Sequence, residues 1–189
     1  MTDIELLIPH IIKWAAGTTA IGATNERLFN LARPRGYACL KGDTGGPTMI
    51  GVTLATYTDY CRCKGLPRPD VAALKAIPYA HWRDICKSMF WDKCQADKIR
   101  SQSVAEMFVD WVWLGGPGKI KRVQRLLKVT ADGVVGPKTI AAINSMNPML
   151  LFGMIRADRI AWAESNGKGA KAQFRQGWIN RANDLKWKG

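Results

Sequence analysis

Gly42-Asp43-Thr44-Gly45-Gly46-Pro47-Thr48-Met49-Ile50-Gly51-Val52-Thr53 is the stretch on which the rest of the chain turns. One carboxylate and three threonine hydroxyls are set among four glycines and a proline. Glycine permits positive φ and close backbone approach, so such a loop is able to present polar atoms into a cleft. Read more plainly, it is a tight hairpin between apolar segments with Asp43 as a turn residue. Thr53, followed by Leu54, Tyr57 and Cys61 on one helical face, marks a helix N-terminus just beyond it.

Working outward, Ile4, Leu7, Ile8, Ile11 and Ala15 recur at helical spacing, with Pro9 interrupting the first turn and Gly17 as the stop. Residues 17–41 have little periodicity and carry Arg27, Arg33 and Arg35 around Pro34; they read as an irregular or short-stranded excursion. Beyond the loop, Gly65 closes a helix, Asp70 caps a short one, and Pro78 opens one with Trp82, Ile85, Met89 and Phe90. Ser101 or Ser103 begins the most apolar helix, from Val104 to Leu114, expected to be central and to hold Asp110 in an ion pair or along a cleft. Gly115-Gly116-Pro117-Gly118 breaks the chain. Further helices carry Ile120–Leu127, Pro137–Ile143, Pro148–Ser165 and Phe174–Leu185. The expected fold is mainly α, lysozyme-like once the resemblance below is added. It has about eight helices and a small irregular or β region before and within the glycine-rich loop.

The chain has 189 residues, 47% of them hydrophobic, enough for one good core or two small ones. The net charge of +13 predicts attraction to a polyanion: nucleic acid, anionic lipid or an acidic cell wall. Lys and Arg are scattered rather than gathered on one recognition helix, which argues against specific nucleic-acid binding. The start is acidic and its apolar run is broken, so no signal peptide is expected, and no segment is apolar for long enough to span a membrane. Five cysteines without a CxxC pair, and two histidines, point to free thiols, with no metal site and no cofactor expected.

Asp43-Thr44-Gly45-Gly46-Pro47-Thr48-Met49-Ile50-Gly51-Val52-Thr53 resembles the D-x-G-G-x-T-x-x-G-V-T segment of glycoside hydrolase family 108, lysozyme-like N-acetylmuramidases of phages, prophages and bacterial lysis cassettes, some labelled secretion activator proteins. Phe90-Trp91-Asp92 with Ala96-Asp97 resembles the family's YWD…AD segment. Asp110-Trp111-Val112-Trp113 lies in the stretch that resembles its central helix. Gln124-Arg125-Leu126-Leu127 with Asp132-Gly133-Val134-Val135-Gly136-Pro137-Lys138-Thr139 resembles the associated peptidoglycan-binding segment. The resemblance implies a muramidase region over residues 1–115 and a helical peptidoglycan-binding segment over 116–189, packed into one compact unit. It also implies peptidoglycan glycan strands as the partner. The expected location is cytoplasmic until release or export to the periplasm or wall.

Muramidase chemistry needs a carboxylic acid held protonated in a dry pocket and a second group that handles water or positive charge. The resemblance assigns the second role to Asp43, with Thr48 holding the water. The family's first helix ends W-E-G-G, whereas this chain reads Trp14-Ala15-Ala16-Gly17, so Ala15 stands where the acid is expected. Glu26 is the only glutamate between that helix and the loop and is the candidate replacement acid; Asp110 is in reserve. Tyr37, Asp110 and Trp113 are candidate substrate-binding residues, although aromatics at helical spacing equally suit a core. An active muramidase and a catalytically impaired peptidoglycan-binding protein both remain open.

Overall fold

The computed structural model describes residues 1–40 and 45–188. They form two compact units, Glu5–Met89 and Met1–Ile4 with Phe90–Gly189. The fold is mainly α, with ten α-helices and one three-stranded sheet among the described residues. None of these helices is long and apolar enough to cross a membrane.

The first unit begins with α1 (Ile8–Ala16). Pro9 sits in its first turn, where a missing N–H costs nothing. Ile8, Ile11, Ile12 and Ala16 are buried, and Gly17 closes the helix at φ +63°, its N–H donating to the Lys13 carbonyl at 2.8 Å. The next segment departs from the irregular excursion expected for residues 17–41. It contains α2 (Asn25–Ala32), whose start is fixed by Thr24 Oγ1 accepting from the Arg27 N–H at 3.2 Å. Leu28, Phe29 and Ala32 are buried, and α2 packs on α1. At Asn25, Nδ2 donates to Glu5 Oε2 at 2.7 Å, and Glu5 pairs with Arg83 at 2.5 Å, so one carboxylate ties the start of α2 to α5 (Tyr79–Asp84).

The sheet is antiparallel, β1 (Tyr37–Ala38), β2 (Thr48–Met49) and β3 (Val52–Thr53) in that order. Ile50 and Gly51 join β2 to β3 with φ of 44° and 79°, the two positive φ values of a type I′ hairpin turn. Glycine takes this conformation freely; a β-branched isoleucine takes it only when its surroundings impose it. Here the Ile50 N–H donates to the Gly36 carbonyl at 2.7 Å, its carbonyl accepts from Trp82 Nε1 at 2.9 Å, and its side chain is fully buried. Gly36 makes this possible, since a Cβ there would lie 2.4 Å from Ile50 Cγ1. α3 (Leu54–Cys63) then starts at Thr53, which accepts from the Thr56 N–H at 3.1 Å. α4 (Val71–Lys75) is capped by Asp70. α5 runs directly into a π-helical stretch, Ile85–Trp91, where the sequence reads as one regular helix.

The second unit is built on α6 (Gln102–Gly115), in which every residue from Ser103 to Trp113 is buried. α7 (Gly118–Leu126) and α9 (Pro148–Asn166) pack against it, and α8 (Pro137–Ser145) and α10 (Ala172–Asp184) pack on α9. The break between the compact units falls at Met89/Phe90, whereas the motif-based division after residue 115 follows the Gly115–Gly118 break.

Replacing Gly36 by Ala drives its methyl group into buried Ile50. The Gly36→Ala protein is expected to lose about 1–3 kcal/mol of stability, measured by urea denaturation against the parent chain.

Candidate active site

Asp43 lies outside the described residues, as does Thr44. What the structure describes is the ground on either side of them. On the C-terminal side, Thr48 donates its hydroxyl to the Gly46 carbonyl at 2.9 Å, and the Pro47 carbonyl accepts from the Leu54 N–H at 2.8 Å. The loop's exit is thereby tied to the start of α3. Cross-strand pairing sets Thr48 between Ala38 and Thr53, all three half-buried, while Met49 and Val52 are buried. Thr48 thus stands on the sheet's solvent-reaching face, held by its own backbone.

Tyr37 is the neighbour of Ala38 on β1 and keeps 37% of its surface exposed. Lys75 Nζ lies 4.2 Å from its ring centroid, a cation–π contact that orients the ring and occupies one face. Tyr37 and Thr48 lie on adjacent strands but in different pairs, Tyr37 opposite Met49 and Thr48 opposite Ala38, so the register sends them to opposite faces of the sheet.

Glu26 is held elsewhere, in the first turn of α2, where it is exposed. Its charge reaches Tyr79 on α5. The Tyr79 phenol is pushed up to about 12, chiefly by burial, then by Glu5, with Cys86 and Glu26 adding and Arg83 opposing. Glu26 has none of the dryness that a general acid of glycoside hydrolysis requires. Ala15, in the last turn of α1, is half-buried and adds no polar atom beyond its backbone. Beside it Trp14 is half-buried, with the His10 ring at 6.4 Å.

The other two candidates belong to the second unit. Asp110 has no exposed surface. Its carboxylate accepts from Arg159 Nη2 at 2.7 Å and from Arg181 Nη2 at 2.6 Å. Arg159, itself buried, also donates to the Met107 carbonyl at 3.3 Å. Of the two roles open to Asp110, the geometry supports ion pairing that clamps α6 to α9 and α10; a glycan has no path to a carboxylate with zero exposure. Burial holds Arg159 below the usual arginine range, with Arg181 adding and Asp110 opposing. Trp113 is 8% exposed and lies with its ring 4.6 Å from that of Phe90, an aromatic core contact.

The motif over residues 124–139 has a local structural explanation. Gln124 is fully buried; its Nε2 donates to Asp132 Oδ1 at 2.8 Å and the Val134 carbonyl at 3.0 Å, and its Oε1 accepts from the Gly133 N–H at 2.8 Å. Asp132 Oδ1 also accepts from the Val134 N–H at 2.8 Å. One glutamine amide therefore meets the Gly133 N–H and the Val134 carbonyl and fixes the turn to α7.

Sequence reading missed Lys119. Its ammonium lies 3.7 Å from the Trp162 ring centroid and 4.6 Å from that of Trp111. Gly115 leaves room for its stem, since a Cβ there would meet Lys119 Cε at 2.1 Å. Burial above all, then the charge of Arg122, lowers the Lys119 amine to about 8; Lys171 adds to this and Asp158 opposes it. No local pattern announced this contact: α6 ends at Gly115, α7 begins at Gly118, and Trp162 lies on α9.

Residues 30–116 match the model of the family described as glycosyl hydrolase 108, and residues 119–183 match the model described as predicted peptidoglycan domain. A solved structure of SagA from Brucella abortus is 29% identical, covering 83% of this chain and 90% of that chain, with a TM-score of 0.68. A search of curated proteins finds no match.

Two predictions arise from these sites. Asp110→Asn leaves two buried guanidinium groups without their anion and is expected to cost about 3–5 kcal/mol in urea denaturation; unchanged stability with weakened wall binding would instead make Asp110 a ligand contact. For Lys119 the folded pKa lies below the unfolded one, so from about pH 8 to 10.5 the unfolded chain binds the extra proton and folding gains as pH rises. Denaturation of the parent relative to Lys119→Met is expected to show this gain, on the order of 2–3 kcal/mol, across that window.

Proposed function

We propose that this chain, whose residues 30–116 match the glycosyl hydrolase 108 model and residues 119–183 the predicted peptidoglycan domain model, is a wall-directed muramidase of the phage or prophage lysis type whose acid step is impaired. The observation that carries this reading is Ala15 at the end of α1, where the family resemblance calls for the acid, combined with an exposed Glu26. Bond cleavage requires protonation of the glycosidic oxygen as positive charge grows on the sugar ring. Asp43 stabilises that charge or orients water, and Thr48 holds the water. Without a positioned acid the rate falls by about 10²–10⁴-fold, while the attraction of a +13 chain to an anionic wall is untouched. Residues 1–115 act on the glycan and residues 116–189 hold the wall. The site of action is the cell wall, reached by release or export. A second reading, a secretion-associated binding protein with no hydrolysis, is favoured by the same Ala15.

Three measurements separate these readings. The purified chain is expected to sediment with purified sacculi and to release few reducing ends. Ala15→Glu is expected to raise that release by on the order of 10²-fold, and Glu26→Gln to leave it unchanged. Loss of all residual cleavage in Glu26→Gln would assign the acid to Glu26. No cleavage by either the parent or Ala15→Glu would leave the binding-protein reading, and failure to sediment would overturn the wall-directed function.

A further inference from the structure

The second unit contains a pocket of about 320 Å³ that the muramidase reading does not use. Its walls come from Ile99, Val104, Ile143 and Met146, and its polar groups include Arg100 and Asn144, with Trp187 at one side. Every lining residue lies between positions 99 and 187, within this unit. The size is at the lower end of small-molecule sites, which run from about 300 to 1,000 Å³.

The pocket is built rather than incidental. The Asn144 side chain donates to the Lys98 carbonyl at 2.8 Å and accepts from the Arg100 N–H at 2.9 Å, so the end of α8 is fastened to the segment leading into α6. This leaves the Arg100 side chain exposed at the pocket. Trp187 is braced edge-on against Phe152 at 5.8 Å. Ile99, Val104 and Ile143, each no more than 3% exposed, close the pocket from below, and its accessible apolar wall is Met146, Pro148 and Trp187.

The chemistry of the lining selects among wall components. Among the described residues no acidic side chain lines the pocket, and Arg100 is its one cation. A sugar-binding site relies on several free polar side chains to meet ring hydroxyls, whereas here Ser101 Oγ already caps the Val104 N–H and both ends of the Asn144 amide are engaged. A guanidinium beside an apolar wall suits a carboxylate attached to small apolar groups. We propose that this pocket binds the free carboxylate end of a peptidoglycan stem peptide, its methyl side chains against Met146, Pro148 and Trp187 and its carboxylate on Arg100. The proposal rests on the wall-directed reading above and assigns the peptide, rather than the glycan, to the second unit.

The test uses the full chain labelled with ¹⁵N and titrated with acetyl-D-alanyl-D-alanine, its C-terminal amide, and a chitin trisaccharide. The free acid is expected to shift the Trp187 indole and Asn144 side-chain amide resonances. The amide should bind on the order of tenfold more weakly, the loss of one charge-assisted contact, and Arg100→Ala should erase the difference between acid and amide. Silence at these resonances, equal binding of acid and amide, or movement of the same resonances by the trisaccharide alone would overturn the assignment. Sacculus sedimentation of the parent is measured alongside: if it persists while the peptide fails, only the pocket assignment falls, and if it is absent, the wall-directed reading falls with it.

Discussion

The second unit turns on the buried carboxylate of Asp110. Asp110 sits in the middle of α6 with no solvent, and two arginines reach it from α9 and α10. Removing three charged groups from water is costly, and their attraction offsets that cost only where geometry and hydrogen bonding are good. Here each carboxylate oxygen accepts from a guanidinium at 2.7 Å or less, and Arg159 adds the Met107 carbonyl. Aliphatic residues of similar volume would pack the same helices with equal or greater stability. What the ion pairs supply is register: α9 and α10 meet α6 only where both arginines find one carboxylate. Arg122 repeats the device nearer the surface, pairing through two nitrogens with Asp158 to align α7 on α9.

The first unit is organised by backbone strain instead. Ile50 is held in the left-handed region by contacts from Gly36 and Trp82, and that turn sets the register of the strands carrying Thr48. The strain costs of order 1–3 kcal/mol and is borne because burying the Ile50 side chain and satisfying both its backbone groups offsets it. A glycine at position 50 would relieve the strain and lose the plug that fills the space over Gly36. The polar face of the sheet is therefore positioned by an apolar residue in the same hairpin.

How much of this was legible follows from the range of each interaction. Thr53, Asp70 and Ser101 announced their helices because a cap acts over three residues, and Gly17 announced an end for the same reason. The strands were located by the same short-range turn chemistry. α2 was hidden because its exposed face is polar and its buried face is short, Leu28, Phe29 and Ala32; Thr24 was the available signal. The partners of Asp110 lie 49 and 71 residues away, and no local pattern distinguishes Arg159 or Arg181 from the other basic residues of their helices. Trp113 and Asp110 read equally well as site or core until their burial was known.

The motif around Gln124 shows why a family signature and a binding site need to be kept apart. Its glutamine, aspartate and glycine engage one another: the amide of Gln124 meets the Gly133 N–H and the Val134 carbonyl, and the Asp132 carboxylate caps the same turn. Residues so occupied have little hydrogen-bonding capacity left for a ligand, so the motif's specificity comes from folding the turn. A ligand contact in this unit must then use side chains that the fold leaves available, and the pocket beside Arg100 and Trp187 offers them without disturbing the turn. On this view the recognisable part of the segment builds the scaffold, and ligand contacts are left to residues at the edges of the helices it holds in place.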